Sequence, residues 1–136
     1  MVSITKIYEF EAAHHLPNHK GACHQLHGHS YRLEITISGP IQIDGPSRGM
    51  VMDFSVLKGM VESLPINYLD KLDHSNLNDY YDNPTAEIMV QSIARDMRFM
   101  LWEKSITLER VRLWETRTSY ATWEKGQNLI LKENIV

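Results

Sequence analysis

The stretch CHQLHGH, residues 23–29, holds three of the seven histidines and the only cysteine of the chain. AAHHLPNH, residues 12–19, adds three more, so six of the seven imidazoles fall between His14 and His29. Imidazole is the commonest protein ligand for a metal, and spacing decides which of these rings can act together. His27 and His29 are two apart, and on a strand residues i and i+2 share a face. Tyr31, Leu33, Ile35 and Ile37 continue that parity and are apolar. Both imidazoles therefore enter the buried side, about 7 Å apart along the backbone. Gly28 between them permits a close approach or a bend. His14 ends a first strand on the parity of Phe10 and Ala12, whereas His15 points the other way. Three imidazoles with one open position form the donor set of a catalytic zinc, while a structural site is closed by four protein ligands. A lone histidine is more often unliganded. The pair on buried parity, with a histidine on the neighbouring strand, favours a metal.

Cys23 lies four residues before His27. Its thiolate could be a fourth ligand or a catalytic base or nucleophile; the thiol could also be a small buried apolar group. Spacing does not choose among these. The Cys-x-x-Cys pair of zinc deaminases and the helical His-Glu-x-x-His motif are both absent. At the other end of the chain, Glu115 closes the segment RVRLWE on the parity of Val111 and Leu113, so a carboxylate ends an apolar stripe and needs a partner. LDHSNLN, which contains the adjacent Asp73 and His74, reads on its own as a polar loop.

The elements that must position these residues follow from periodicity. ITKIYEFEAA alternates, with Ile4, Tyr8, Phe10 and Ala12 on one parity and Lys6 interrupting; SYRLEITIS alternates more cleanly. Residues 39–49 are turn-rich and polar, a loop between paired strands. Leu57, Met60, Val61 and Leu64 recur at helical spacing after Asp53 and Ser55, both candidate N-caps. Residues 69–79 are loop-like. NPTAEIMVQSIARDMRFMLW predicts a second amphipathic helix capped by Thr85, with Ile88, Ile93, Met97 and Met100 or Leu101 inward. TLERVRLWET and SYATWEKGQNLILK form a closing hairpin region. The β-β-α-α-β-β order predicts an α+β fold, an antiparallel sheet with two helices on one face.

At 136 residues the chain suits one domain, 1–136, with no repeat. A net charge of −3 argues against nucleic acid as a partner held by bulk charge. One cysteine rules out an intrachain disulfide framework. No segment reaches the length of a membrane span, and the first ten residues lack the layout of a signal peptide. A soluble cytoplasmic protein is expected.

FEAAHHLP, CHQLHGHSYRLEI, GMVMDFSVLK, LDHSNLN, NPTAE and VRLWETRTSYA occur in the order found in the 6-pyruvoyl-tetrahydropterin synthase family, and the chain resembles that family from about residue 4 to 124. The resemblance implies the tunnelling fold (T-fold), with His14, His27 and His29 as ligands of Zn2+. It implies that Cys23 is the catalytic thiol, working with His74 and Asp73 supplied by a neighbouring subunit of a dimer of trimers. It implies that Glu115 accepts from the 2-amino group and ring N–H of a pterin, with Thr85 and Glu87 in the same pocket. Glu87 equally suits the first turn of a helix as a dipole partner. Two positions depart from the family's habit: His15 stands where arginine is common, and Ala86 where a hydroxyl residue is frequent. The implied substrate is the small molecule 7,8-dihydroneopterin triphosphate. The short Cys-x-x-x-His-Gly-His spacing points to the branch that forms 6-carboxy-5,6,7,8-tetrahydropterin for queuosine biosynthesis. Formation of 6-pyruvoyl-tetrahydropterin is the alternative, and a non-catalytic zinc or pterin-binding module is a more distant one.

Overall fold

The alternation in the first forty residues becomes one long antiparallel pair. In a computed structural model, which describes residues 1–129, β1 (Val2–His14) and β2 (His27–Gly39) run side by side over their whole length. Tyr8, Phe10 and Ala12 face Leu33, Tyr31 and His29 across the ladder. These apolar residues are all buried. The Phe10 and Tyr31 rings stack at 4.9 Å and 7°, an arrangement that adds about 1 kcal/mol to simple burial. Lys6, which breaks the apolar parity in the sequence, sits opposite Ile35 and is only half-buried, as a long stem under a solvated head allows.

Both helices start where the capping residues put them. Asp53 accepts from Ser55 N at 2.8 Å and opens α1 (Phe54–Glu62). Leu57 and Val61 are buried on its inner face, and Leu64 is buried just beyond its end. In the next segment Leu69–Leu72 forms the short helix α2. Thr85 Oγ1 accepts from Ile88 N at 3.1 Å and opens α3 (Ala86–Met100). The inward face of α3 is Met89, Val90, Ile93, Ala94 and Met97, with Leu101 following; Ile88 and Met100, both candidates for that face, are only half-buried.

β4 (Thr107–Thr116) and β5 (Ser119–Glu124) close the sheet as a hairpin. The end of the expected hairpin region, residues 130–132, lies outside the described residues. β4 pairs with β2, and with the two-residue strand β3 (Ser75–Asn76) the sheet order is β3-β1-β2-β4-β5. The fold is thus the expected α+β sheet with helices on one face, with two corrections. The loop 39–49 leads from β2 into α1 rather than joining paired strands. The segment 69–79 is not simply a loop: after α2 it contributes β3 (Ser75–Asn76), which pairs in parallel with Ala12 and Ala13 of β1. A two-residue ladder is too short to show alternation, and α2 is a single turn, so neither leaves a periodic signal.

The α1–α3 side of this segment is held by a buried polar cluster. Asp96 Oδ2 accepts from Ile66 N, Asn67 N and Asn67 Nδ2, each at 3.0 Å. Asn67 also donates to Ser92 Oγ at 2.8 Å and accepts from the Tyr81 hydroxyl. Burial raises the Tyr81 pKa, so this hydroxyl stays a donor.

Candidate functional site

The antiparallel register places His14 directly opposite His27 and Ala12 opposite His29. Since opposed residues share a face, the three rings gather at one end of the buried stripe. His14 and His27 have ring centroids 4.7 Å apart, His14 and His29 5.1 Å, and His27 and His29 4.9 Å, all edge to face. One ligand atom from each of the three lies within 4.8 Å of the others. His14 is fully buried, and His27 and His29 are half-buried.

The second nitrogen of two rings is committed. His14 Nδ1 lies 2.8 Å from the Pro84 carbonyl and 3.3 Å from the Tyr31 hydroxyl. His27 Nδ1 lies 2.8 Å from the Gln25 carbonyl. A carbonyl only accepts, so each Nδ1 carries the proton and each neutral ring presents a lone pair at Nε2. Those two Nε2 atoms are 3.1 Å apart. The His29 Nε2 is buried and has no hydrogen-bond partner among the described residues. Ligand nitrogens converging this closely can share a cation, and rings oriented through a backbone carbonyl, as those of His14 and His27 are, have the usual outer support of a metal ligand. The donor set therefore fits a divalent metal with nitrogen preference.

Glu115 lies beside the trio. Its Oε1 is 3.1 Å from His14 Nε2 and 3.5 Å from His29 Nε2. In its protonated form His14 donates from Nε2 to Glu115, and this hydrogen bond draws the Glu115 pKa down despite its partial burial, with the charges of His29, His14 and His27 in that form adding to the effect. Burial alone would lower the His14 pKa; the hydrogen bonds with Glu115 and Pro84 outweigh it, and the net shift is upward. At His29 burial wins, helped by the neighbouring imidazoles, and its pKa falls. The unpaired carboxylate that the apolar stripe left in question thus has its partners in the histidines.

Glu115 also lines a cavity of about 470 Å³ between α3 and β5, together with Glu87, Gln91, Ser119 and Thr122. That volume is in the range of small-molecule sites. Glu87 stands in the first turn of α3 and on the cavity wall at once, so its two readings are compatible. Thr85 is engaged as the helix cap and is not among the residues that line this cavity.

Cys23 sits half-buried in the short 3-10 turn Ala22–His24, with its carbonyl accepting from Leu16 N at 2.8 Å. It is not part of the converging donor group, so the ligand reading of this thiol has no geometric support. Asp73 and His74 do lie off any strand, at the end of α2, where His74 takes a left-handed φ of 57°. Asp73 Oδ2 holds His74 Nδ1 at 3.0 Å, and Asp73 Oδ1 accepts from Glu11 N at 2.9 Å. The pair is oriented yet open, with the His74 side chain 79% exposed. Sequence reasoning missed the groups that orient the trio, Pro84 and Gln25, because they act through backbone carbonyls. The Asn-Pro-Thr segment was singled out for Thr85, not for the carbonyl one residue earlier.

Three converging imidazoles, two of them oriented by backbone carbonyls, and a carboxylate beside a cavity, on a sheet backed by helices, make a site that could hold a metal ion next to a small polar ligand. The profile of the family described as 6-pyruvoyl tetrahydropterin synthase matches residues 3–126, and the chain belongs to this family of pterin lyases. A relative from Synechocystis named 6-carboxy-5,6,7,8-tetrahydropterin synthase is 42% identical, covering 88% of this chain and 91% of its own. One of the same name from Haemophilus influenzae is 31% identical, covering 92% and 100%. The solved 6-pyruvoyl tetrahydropterin synthase of Caenorhabditis elegans superposes with a TM-score of 0.74 at 24% identity, covering 92% of this chain and 96% of its own, and so shares the fold.

Proposed function

We propose that this chain is a zinc-dependent synthase that converts 7,8-dihydroneopterin triphosphate and water to 6-carboxy-5,6,7,8-tetrahydropterin, with release of acetaldehyde and triphosphate, as a step of queuosine biosynthesis in the cytoplasm. The observation that carries the reading is the convergence of His14, His27 and His29 beside Glu115, at the wall of a cavity of ligand size. The spacing of Cys23 to His27 and His29 and the names of the two relatives support the 6-carboxy branch.

The residues divide the work. Zinc held by the three histidines would supply Lewis acidity to the side-chain hydroxyls of the substrate. Glu115, kept ionised by its neighbours, anchors the pterin by accepting from its 2-amino group and ring N–H, a bidentate contact. Glu87 completes the pocket wall, and Thr85 serves it by capping the helix that carries Glu87. Cys23, as thiolate, removes a proton from the substrate side-chain carbon. His74, held in one orientation by Asp73, relays that proton. The exposure of the oriented His74 suits a group offered to a second copy of the chain, and a dimer of trimers with sites between subunits is the assembly proposed.

The test is product analysis. Zinc-loaded protein is incubated with 7,8-dihydroneopterin triphosphate, and the products are read by mass spectrometry with a trap for acetaldehyde. The 6-carboxy product with acetaldehyde is expected. A 6-pyruvoyl product would transfer the chain to the other branch, and binding without turnover would make it a pterin-binding module. Light scattering on the eluted protein checks the hexamer, which a monomer mass would refute.

A further inference from the structure

The segment that carries Asp73 and His74 follows the metal-ligand strand nearly residue for residue. Glu11 N donates to Asp73 Oδ1 at 2.9 Å, and Glu11 O accepts from His74 N at 2.5 Å. Ala12 and Ala13 then pair with Ser75 and Asn76. β1 ends at His14, and beyond it the backbone ladder stops. There a side chain takes over: Asn78 Oδ1 accepts from His15 N at 2.8 Å, and Asn78 Nδ2 donates to His15 O at 2.9 Å. One amide thus satisfies both backbone groups of the residue next to the ligand His14, as a strand partner would. Asn78 is itself fixed, because its N–H donates to Asn76 Oδ1 at 3.0 Å.

We propose that Asn78 is a positioning residue that locks the end of β1 to the Asp73–His74 loop, so that the histidine ligand set and the acid–base pair are placed as one unit. The inference rests on the function proposed above for its account of turnover, but not for its account of metal affinity. The reasoning is geometric. His14 contributes a fully buried ring whose Nδ1 is fixed to Pro84. Its main chain is anchored on one side by pairing with His27 and on the other by the Asn78 clamp on His15. Without the clamp, the backbone next to the ligand loses two partners, and the loop loses its hold on β1 past Asn76. Only an amide can fill this role: the carboxylate of aspartate accepts from His15 N but places charge against the His15 carbonyl.

The test uses the full chain with two variants, Asn78→Ala and Asn78→Asp. Zn2+ affinity is measured by competition with a chromogenic chelator, which needs no substrate. Loss of an outer support typically weakens a metal site about ten- to a hundredfold, and that range is expected for Asn78→Ala, with Asn78→Asp also weakened. Hydrogen exchange read by mass spectrometry should show residues 11–16 and 73–79 losing protection together. At saturating Zn2+, kcat should stay about tenfold or more below the parent while KM changes little, since the pterin contacts lie elsewhere. Should Asn78→Ala fail to fold, Asn78→Asp carries the same readings. A folded variant with parental Zn2+ affinity, or one in which only residues 73–79 loosen, would overturn the proposal. If the parent itself shows no turnover, the proposed function fails while the affinity and exchange results still decide the role of Asn78.

Discussion

His27→Ala is the sharpest test of the metal centre. His14 is fully buried, so replacing it would confound a lost ligand with a cavity in the core. His27 is half-buried at the first residue of β2, and beyond the trio its ring is bound, among the described residues, only to the Gln25 carbonyl. The fold should survive its loss. Zinc in a four-ligand site contributes roughly 10–16 kcal/mol, or about 2.5–4 kcal/mol per ligand. Removing one of three ligands should therefore weaken binding about a hundred- to a thousandfold. The effect is read by thermal unfolding with and without Zn2+. Ligand at about 100 times its Kd stabilises the folded state by about 2.7 kcal/mol. With an unfolding entropy of about 2.1 cal/mol/K per residue, the parent should shift by about 9 °C. At the same Zn2+ concentration the variant is at or below its own Kd, and its shift should be under about 1.5 °C. His19→Ala and His24→Ala should keep the parental shift, because neither ring belongs to the converging group. Since unfolded histidine-rich chain also binds Zn2+ and reduces the shift, chelator competition measures the affinity directly. An equal shift in His27→Ala and parent would refute the three-histidine assignment.

Four further outcomes follow. Cys23→Ala should keep one equivalent of Zn2+ and its circular dichroism while losing turnover; loss of the metal would make Cys23 a ligand after all. Glu115→Gln should weaken a phosphate-free pterin by about 2–4 kcal/mol, since an acceptor-only carboxylate becomes an amide that also donates; unchanged binding in a titration would place the anchor elsewhere. Asn67→Ala leaves the Tyr81 hydroxyl and the Asp96 carboxylate each short of a partner and should cost about 3–5 kcal/mol in denaturant unfolding, with a cost under 1 kcal/mol contradicting the network. Asp73 has its pKa lowered by the Glu11 N–H and, less, by His74. Its folded value lies below its unfolded one, so its charge stabilises the fold above the unfolded pKa and ceases to do so as pH falls through the folded one. The stability difference between parent and Asp73→Asn should hold from pH 7 to about 5 and vanish in stronger acid; a difference already lost between pH 7 and 6 would refute the carboxylate's role.

The trio was legible because two independent signals agreed. Alternation gave His27 and His29 the parity of Tyr31 and Leu33, and gave His14 that of Phe10, so any register that buried the apolar stripe had to bring the rings together. Thr85 and Asp53 were legible as caps because capping depends on a local side-chain acceptor before a periodic run. What escaped were interactions without a residue type or a period. Pro84 and Gln25 act through carbonyls, and β3 is only two residues long. Tyr81, Asn67 and Asp96 meet through the tertiary fold over 14 to 29 residues, a separation at which no pattern in one sequence identifies partners. Asn78 lay inside the quoted segment LDHSNLN, but its clamp on His15 spans 63 residues.

Register makes the site and the core a single specification. The ladder that opposes His14 to His27 also opposes Phe10 to Tyr31 and Tyr8 to Leu33. A slip of one residue would send the whole apolar set of a strand to the other face. It would also carry His14 away from His27 and His29. The chain therefore cannot misplace these histidines by this route without exposing its core, and the free energy that selects the core register selects the geometry of the three rings with it. Tyr31 makes the coupling physical. Its ring stacks on Phe10 in the core, and its hydroxyl lies 3.3 Å from His14 Nδ1. Burial raises the Tyr31 pKa, with the charge of Glu115 adding to the shift, so this hydroxyl stays protonated beside the ligand. The outer support of the three-histidine cluster is thus in part the core itself. The Asp73–His74 pair, by contrast, is fastened to the outer edge of β1 by Glu11, β3 and Asn78. One strand therefore carries His14 on its buried face and the Asp73–His74 loop on its edge, and its placement fixes both.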